Sequence, residues 1–90
     1  MGIKKIARPI NKAKNTFFKW LKDRKADAID EYEGDKDSNW DYYRVVSGFV
    51  GDTLYTVHFM IWRGKLSIDY SDEENKYNGL DIEGFLELIK

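Results

Sequence analysis

His58 is the only histidine in the chain, and Ser67 and Asp69 follow it on the next strand-like run. If "TVHFMIW" (56–62) and "KLSIDYS" (65–71) pair across a tight Arg63-Gly64 turn, His58 faces Asp69 and Ser67 lies diagonal to His58 on the same surface. Ser, His and Asp together are the parts of a nucleophile relay. Diagonal neighbours on a sheet are about 7–8 Å apart, too far for a serine hydroxyl to reach the ring easily. Nothing in the sequence builds a nucleophile elbow or an oxyanion hole. The expectation is a cross-strand His58–Asp69 hydrogen bond without catalysis. Because histidine titrates near neutrality, that pair would make any contact through this surface mildly pH-sensitive.

A second cluster is "DKDSNWD", with Asp35, Asp37, Asn39 and Asp41 at alternate positions. A calcium loop of the EF-hand type also needs Gly at its sixth position and Glu at its twelfth. Trp40 and Val46 stand there instead, so the sharp turn and the bidentate ligand are both missing. The segment reads as an Asx-rich loop. One histidine and no cysteine leave no transition-metal site of the ordinary kind. The chain is expected to be no enzyme, and to take no cofactor and no small-molecule substrate.

Charge is distributed unevenly. Residues 1–25 hold nine Lys or Arg against one acid, Asp23, while residues 26–90 hold six basic residues against fifteen acids. The net charge of −1 conceals this split. Either the basic segment has a partner of its own, or it folds back on an acidic body. Lys4, Lys5, Arg8, Lys12, Lys14, Lys19 and Lys22 are interleaved with Ile3, Ile6, Ile10, Phe17 and Phe18. Such a pattern can lie on an anionic membrane surface or neutralise nucleic-acid phosphates.

The elements that must position these residues follow from periodicity. Ile3, Ile6, Ile10, Ala13 and Phe17 recur at helical spacing, interrupted by Pro9. This predicts a mobile basic arm over residues 1–8, or 1–15, and a helix that begins near Pro9 or Thr16 and stops at Gly34. The charges of that helix would run from basic to acidic, against its macrodipole. Three strand-like runs follow, "WDYYRVVSGFV", "TLYTVHFMIW" and "KLSIDYS", joined by the two-residue links Gly51-Asp52 and Arg63-Gly64. The first link pairs Val50 with Thr53, Val46 with Val57 and Tyr42 with Ile61. The second pairs Ile61 with Leu66, Phe59 with Ile68 and Val57 with Tyr70. Both hairpins put the same apolar residues on one core face. "SDEENKYNG" reads as an acidic loop ending in a turn, and Ile82, Phe85, Leu86 and Ile89 as one side of a closing helix. The expected fold is a single α+β domain over residues 1–90: an N-terminal helix, a three-stranded antiparallel β-meander and a short C-terminal helix.

The same register collects Tyr43, Val45, Phe49, Leu54, His58, Met60 and Trp62 on the opposite face. Large apolar patches mark contacts, and aromatics and Met are enriched in interface cores. Three coverings compete: the chain's own N-terminal region or a helix, a protein partner or second copy, or stacked nucleic-acid bases. The expected function is a small regulatory or inhibitory module binding a protein partner, or its own copy, through this face. The alternative is nucleic-acid or anionic-membrane binding through the basic N-terminal region.

The expected order of elements is similar to that of double-stranded-RNA-binding domains. Those carry a basic cluster opening their second helix, whereas "LDIEGF" here is acidic, so the RNA-binding positions do not carry over. The order also looks like that of small acidic phage inhibitors of nucleic-acid enzymes.

Apolar content of 42% and aromatic content of 16% suffice for a packed interior. The longest apolar run, Phe59 to Trp62, is far below the roughly 20 residues of a membrane span. No apolar segment follows the N-terminal charges as in a secretory signal, and Ile6 stands where a myristoylation motif has Ser or Thr. A cytoplasmic location is the default expectation.

Overall fold

Ile10, Ala13, Phe17 and Leu21 occupy one stripe of a helix, and in a computed structural model of the chain they are 0–2% exposed on α1 (Gly2–Asp23). The structure describes residues 2–34 and 40–90, with side chains from residue 8 onward. Pro9 lies inside α1, where proline removes a backbone hydrogen bond and costs about 3 kcal/mol. Burial of the stripe outweighs this, at about 1.5–3 kcal/mol for each large apolar side chain. The helix therefore starts at Gly2, not near Pro9 or Thr16, and the segment expected as an arm supplies its first turns. Thr16 is no cap, since its hydroxyl donates to the Lys12 carbonyl at 2.9 Å.

The helix also ends earlier than expected. The Ala26 amide donates to the Leu21 carbonyl at 3.0 Å and the Lys25 amide to that of Lys22 at 2.9 Å, with Lys25 at φ 56. This is a Schellman ending with lysine in the left-handed position that glycine usually fills. The acidic segment beyond it is β1 (Asp27–Glu33), an edge strand. The acids assigned to the end of the first helix thus lie outside it, and Lys22 in its last turn suits the macrodipole, although no acid stands in its first turn.

Four strands follow: β2 (Tyr42–Val50), β3 (Thr53–Trp62), β4 (Lys65–Ser71) and β5 (Lys76–Leu80), before α2 (Ile82–Leu88). The sheet is antiparallel with spatial order β1-β2-β3-β4-β5. The α+β class holds, but the three-stranded meander is corrected to five strands. The two central hairpins have the expected register at every pair named above. Arg63 and Gly64 both take positive φ, 51 and 77, as a tight two-residue link requires. β5 occupies the stretch expected as a loop and turn.

Both helices pack on one face of the sheet. Val46, Val57, Phe59, Ile61, Ile68 and Tyr70 meet Ile10, Ala13, Phe17 and Leu21 of α1, and Phe85 with Ile89 at the end of the chain. The Phe17 ring lies 6.4 Å from Phe59 and 5.9 Å from Phe85, centroid to centroid. Gly48 lets Leu21 approach the sheet; a Cβ there would stand 3.2 Å from a Leu21 methyl. Asp81 caps α2 by accepting from the Gly84 amide at 2.7 Å. Lys14 reaches from α1 to Glu31 of β1 at 2.6 Å and ties the helix to the edge strand. Among the described residues, no helix is long and apolar enough to cross a membrane.

Candidate functional site

The alternation of β2 and β3 that buries Val46 and Val57 turns Tyr43, Val45, Phe49, Leu54, His58, Met60 and Trp62 to the face without helices. The structure divides these seven. Val45 and Met60 are 1% and 6% exposed, so the chain itself covers them. Tyr43, His58 and Trp62 are half-buried around them. Phe49 and Leu54, paired beside the Gly51 turn, are each 40% exposed.

Trp40, in the connection before β2, builds part of the cover. Its ring stands edge-on to Tyr43 and Trp62, both at 4.9 Å. The Tyr43 ring lies directly against Gly34, so closely that a Cβ there would fall 2.4 Å from the ring. The Tyr43 hydroxyl and His58 Nδ1 share a hydrogen bond of 2.9 Å. Position 40 shares the parity of Tyr42, so regular alternation would turn it to the helix-covered side. The bend at Asp41 breaks that alternation.

His58 and Asp69 face each other as expected, but their hydrogen bonds go elsewhere. His58 bonds to Tyr43, and Asp69 Oδ1 accepts from the Gly79 amide at 2.8 Å. Ser67 pairs with Met60 in the ladder, two residues from Asp69. The three therefore make no relay. Beside His58 a cleft of about 370 Å³ opens, with Asp69, Ser71, Lys76 and Asn78 in its walls. Burial lowers the His58 pKa below its ordinary 6.5, Asp69 opposes that shift and Lys76 adds to it.

Phe49 and Leu54 lie at the other end of this face. Tyr32 pairs with Val45, four residues along β2 from Phe49, and is 49% exposed. Asp27 pairs with Phe49 and Asp30 with Ser47, so carboxylates border the patch. Tyr32 was hidden from the sequence reading because its segment matched helical spacing. Lys76 and Asn78 were hidden because β5 has no apolar alternation.

Asp35, Asp37 and Asn39 of the suspected calcium loop lie outside the described residues. Asp41 accepts from the Gly64 amide at 3.1 Å. Among the described residues, no three potential metal ligands cluster.

Of the basic residues, Arg8, Lys12, Lys19 and Lys22 are exposed on α1, and the side chains of Lys4 and Lys5 lie outside the described set. Lys14 is buried and bound to Glu31, so it is not a surface charge.

No known protein family, curated protein or solved structure matches the chain.

Proposed function

We propose that the chain is a small non-enzymatic binding module, regulatory or inhibitory in role, that meets a protein partner through the second face of its sheet. One observation carries this reading: both helices serve the other face, while the cross-strand pair Phe49 and Leu54 stays 40% exposed, with Tyr32 49% exposed farther along the same face. Val45 and Met60 support that surface from beneath, and Tyr43, His58 and Trp62 form its half-buried continuation. Contact through the face is favoured over strand addition at the β1 edge. That strand carries Asp27, Asp30, Glu31 and Glu33 and is broken by a register slip at Ala28, both of which guard an edge. The bordering carboxylates call for an apolar partner surface rimmed with Lys and Arg. Two copies of the same face would set like charges against each other, so the partner is a different protein.

A photo-reactive residue at position 49 or 54, in the cells that make the protein, should give one discrete adduct. The same residue at Glu83 should give none, and Asp at whichever of Phe49 and Leu54 is unlabelled should abolish the adduct. Equal labelling from all three positions would overturn the reading. Light scattering should show a monomer. Met60→Asp is no probe of this contact, because Met60 is buried within the chain.

A further inference from the structure

The outer side of α1 is a second surface, independent of the sheet face. At about 100° per residue, Arg8, Lys12, Lys19 and Lys22 fall within an arc of about 80°, centred about 180° from the buried stripe of Ile10, Ala13, Phe17 and Leu21. All four are exposed. The helical positions of residues 4 and 5 extend the same arc toward the N-terminus. Asp23, the only acid of the helix, lies at its margin.

If the basic segment merely folded back on an acidic body, these cations would be paired. Among the described residues, Lys14, off this arc, is the cation of α1 that pairs with an acid. The other ion pairs of the described residues join Arg44 to Glu33 and Lys90 to Glu87. Among the described residues, Arg8, Lys12, Lys19 and Lys22 have no carboxylate partner, and Lys22 lies over the Phe18 ring at 4.9 Å.

We infer that this outer stripe of α1 binds the phosphate backbone of a nucleic-acid duplex without reading its sequence. From Arg8 to Lys22 the stripe spans about 21 Å at 1.5 Å per residue. A duplex presents one charge per about 1.7 Å of its axis, so every cation of the stripe meets phosphate. A lipid surface is the poorer fit. Interfacial helices bind by burying their apolar side among lipids, and the apolar side of α1 is already the core of the domain.

The test is anisotropy of a labelled mixed-sequence duplex of about 20 base pairs, titrated with the full chain at several salt concentrations. Four neutralised phosphates predict a log–log salt slope near −3.6, a loss of roughly 100-fold in affinity between about 50 and about 200 mM salt. Lys12→Gln with Lys19→Gln should reduce the slope by about two units and leave the circular dichroism unchanged. Arg8→Gln with Lys22→Gln is the second pair, and should do the same. A scrambled duplex should bind equally well. Absence of duplex binding at the lowest salt, a slope unmoved by both pairs, or binding only to phosphatidylserine vesicles would overturn the inference. The sheet-face variants at Phe49 and Leu54 should leave duplex binding untouched, so the two surfaces are judged separately.

Discussion

Removing either half of the Lys14–Glu31 bridge should have unequal consequences. The Lys14 side chain is 9% exposed and that of Glu31 34%, with 2.6 Å between Nζ and Oε2. Breaking a fully buried pair costs about 3–5 kcal/mol, and a surface pair contributes about 0–1 kcal/mol. Glu31→Gln strands the ammonium in its dry site beside a neutral amide oxygen, which can still accept a hydrogen bond. The expected loss is about 2 kcal/mol, between those limits. Lys14→Met keeps an apolar stem of similar length and leaves a carboxylate that water can reach, so its cost is below about 1 kcal/mol. For a domain of this size those losses lower the melting temperature by about 8–16 °C and by less than about 8 °C. The double variant should recover most of what Glu31→Gln loses. Calorimetry on the three variants decides the matter. If Lys14→Met destabilises as much as Glu31→Gln, the buried ammonium is not the source of the asymmetry and the reasoning fails.

Two further perturbations probe the second face. Gly34→Ala drives a methyl into the Tyr43 ring, 2.4 Å away, and should cost about 1–3 kcal/mol. The near-ultraviolet dichroism of Trp40 and the ring shifts of His58 should change with it, and wild-type spectra with wild-type stability would refute the contact. The lowered pKa of His58 means that the unfolded chain takes up this proton more readily than the folded one. Its contribution to stability is complete above the ordinary value of 6.5 and is lost as the pH falls through 6.5 to the lowered folded value. Urea midpoints between about pH 7.5 and about pH 5 should therefore fall more steeply for the wild type than for His58→Gln. Parallel curves would show that this ring does not contribute.

The central sheet was legible because two constraints agreed. Each two-residue link fixes a register, and both registers bring the same apolar residues to one face. The ends were not legible, for local reasons. α1 ends at Asp23 because Lys25 takes a left-handed turn that its residue type does not announce, whereas the sequence carries the helix on to Gly34. β1 and β5 are edge strands of mostly exposed residues and lack the alternation that one buried face imposes. The second face was half legible. The register places its members as expected, but alternation cannot tell which of them the chain itself buries. That is why Val45 and Met60 looked like contact residues. The basic stripe needed the true length of α1: with residues 1–8 detached it would lose Arg8, and with residues 1–15 detached it would keep only Lys19 and Lys22.

The strictly sequential order of the sheet bears on how the chain folds as it is made. Every strand pairs with the one just before it, so most contacts close short loops and the topology favours rapid folding. α1 is the exception. It emerges before the sheet, yet two of the rings that enclose Phe17 belong to Phe59 and Phe85, far downstream in the sequence. Until β3 and α2 have left the ribosome, the apolar stripe of α1 has only β2 to pack against. In that interval the rest of the stripe is open to unwanted contacts.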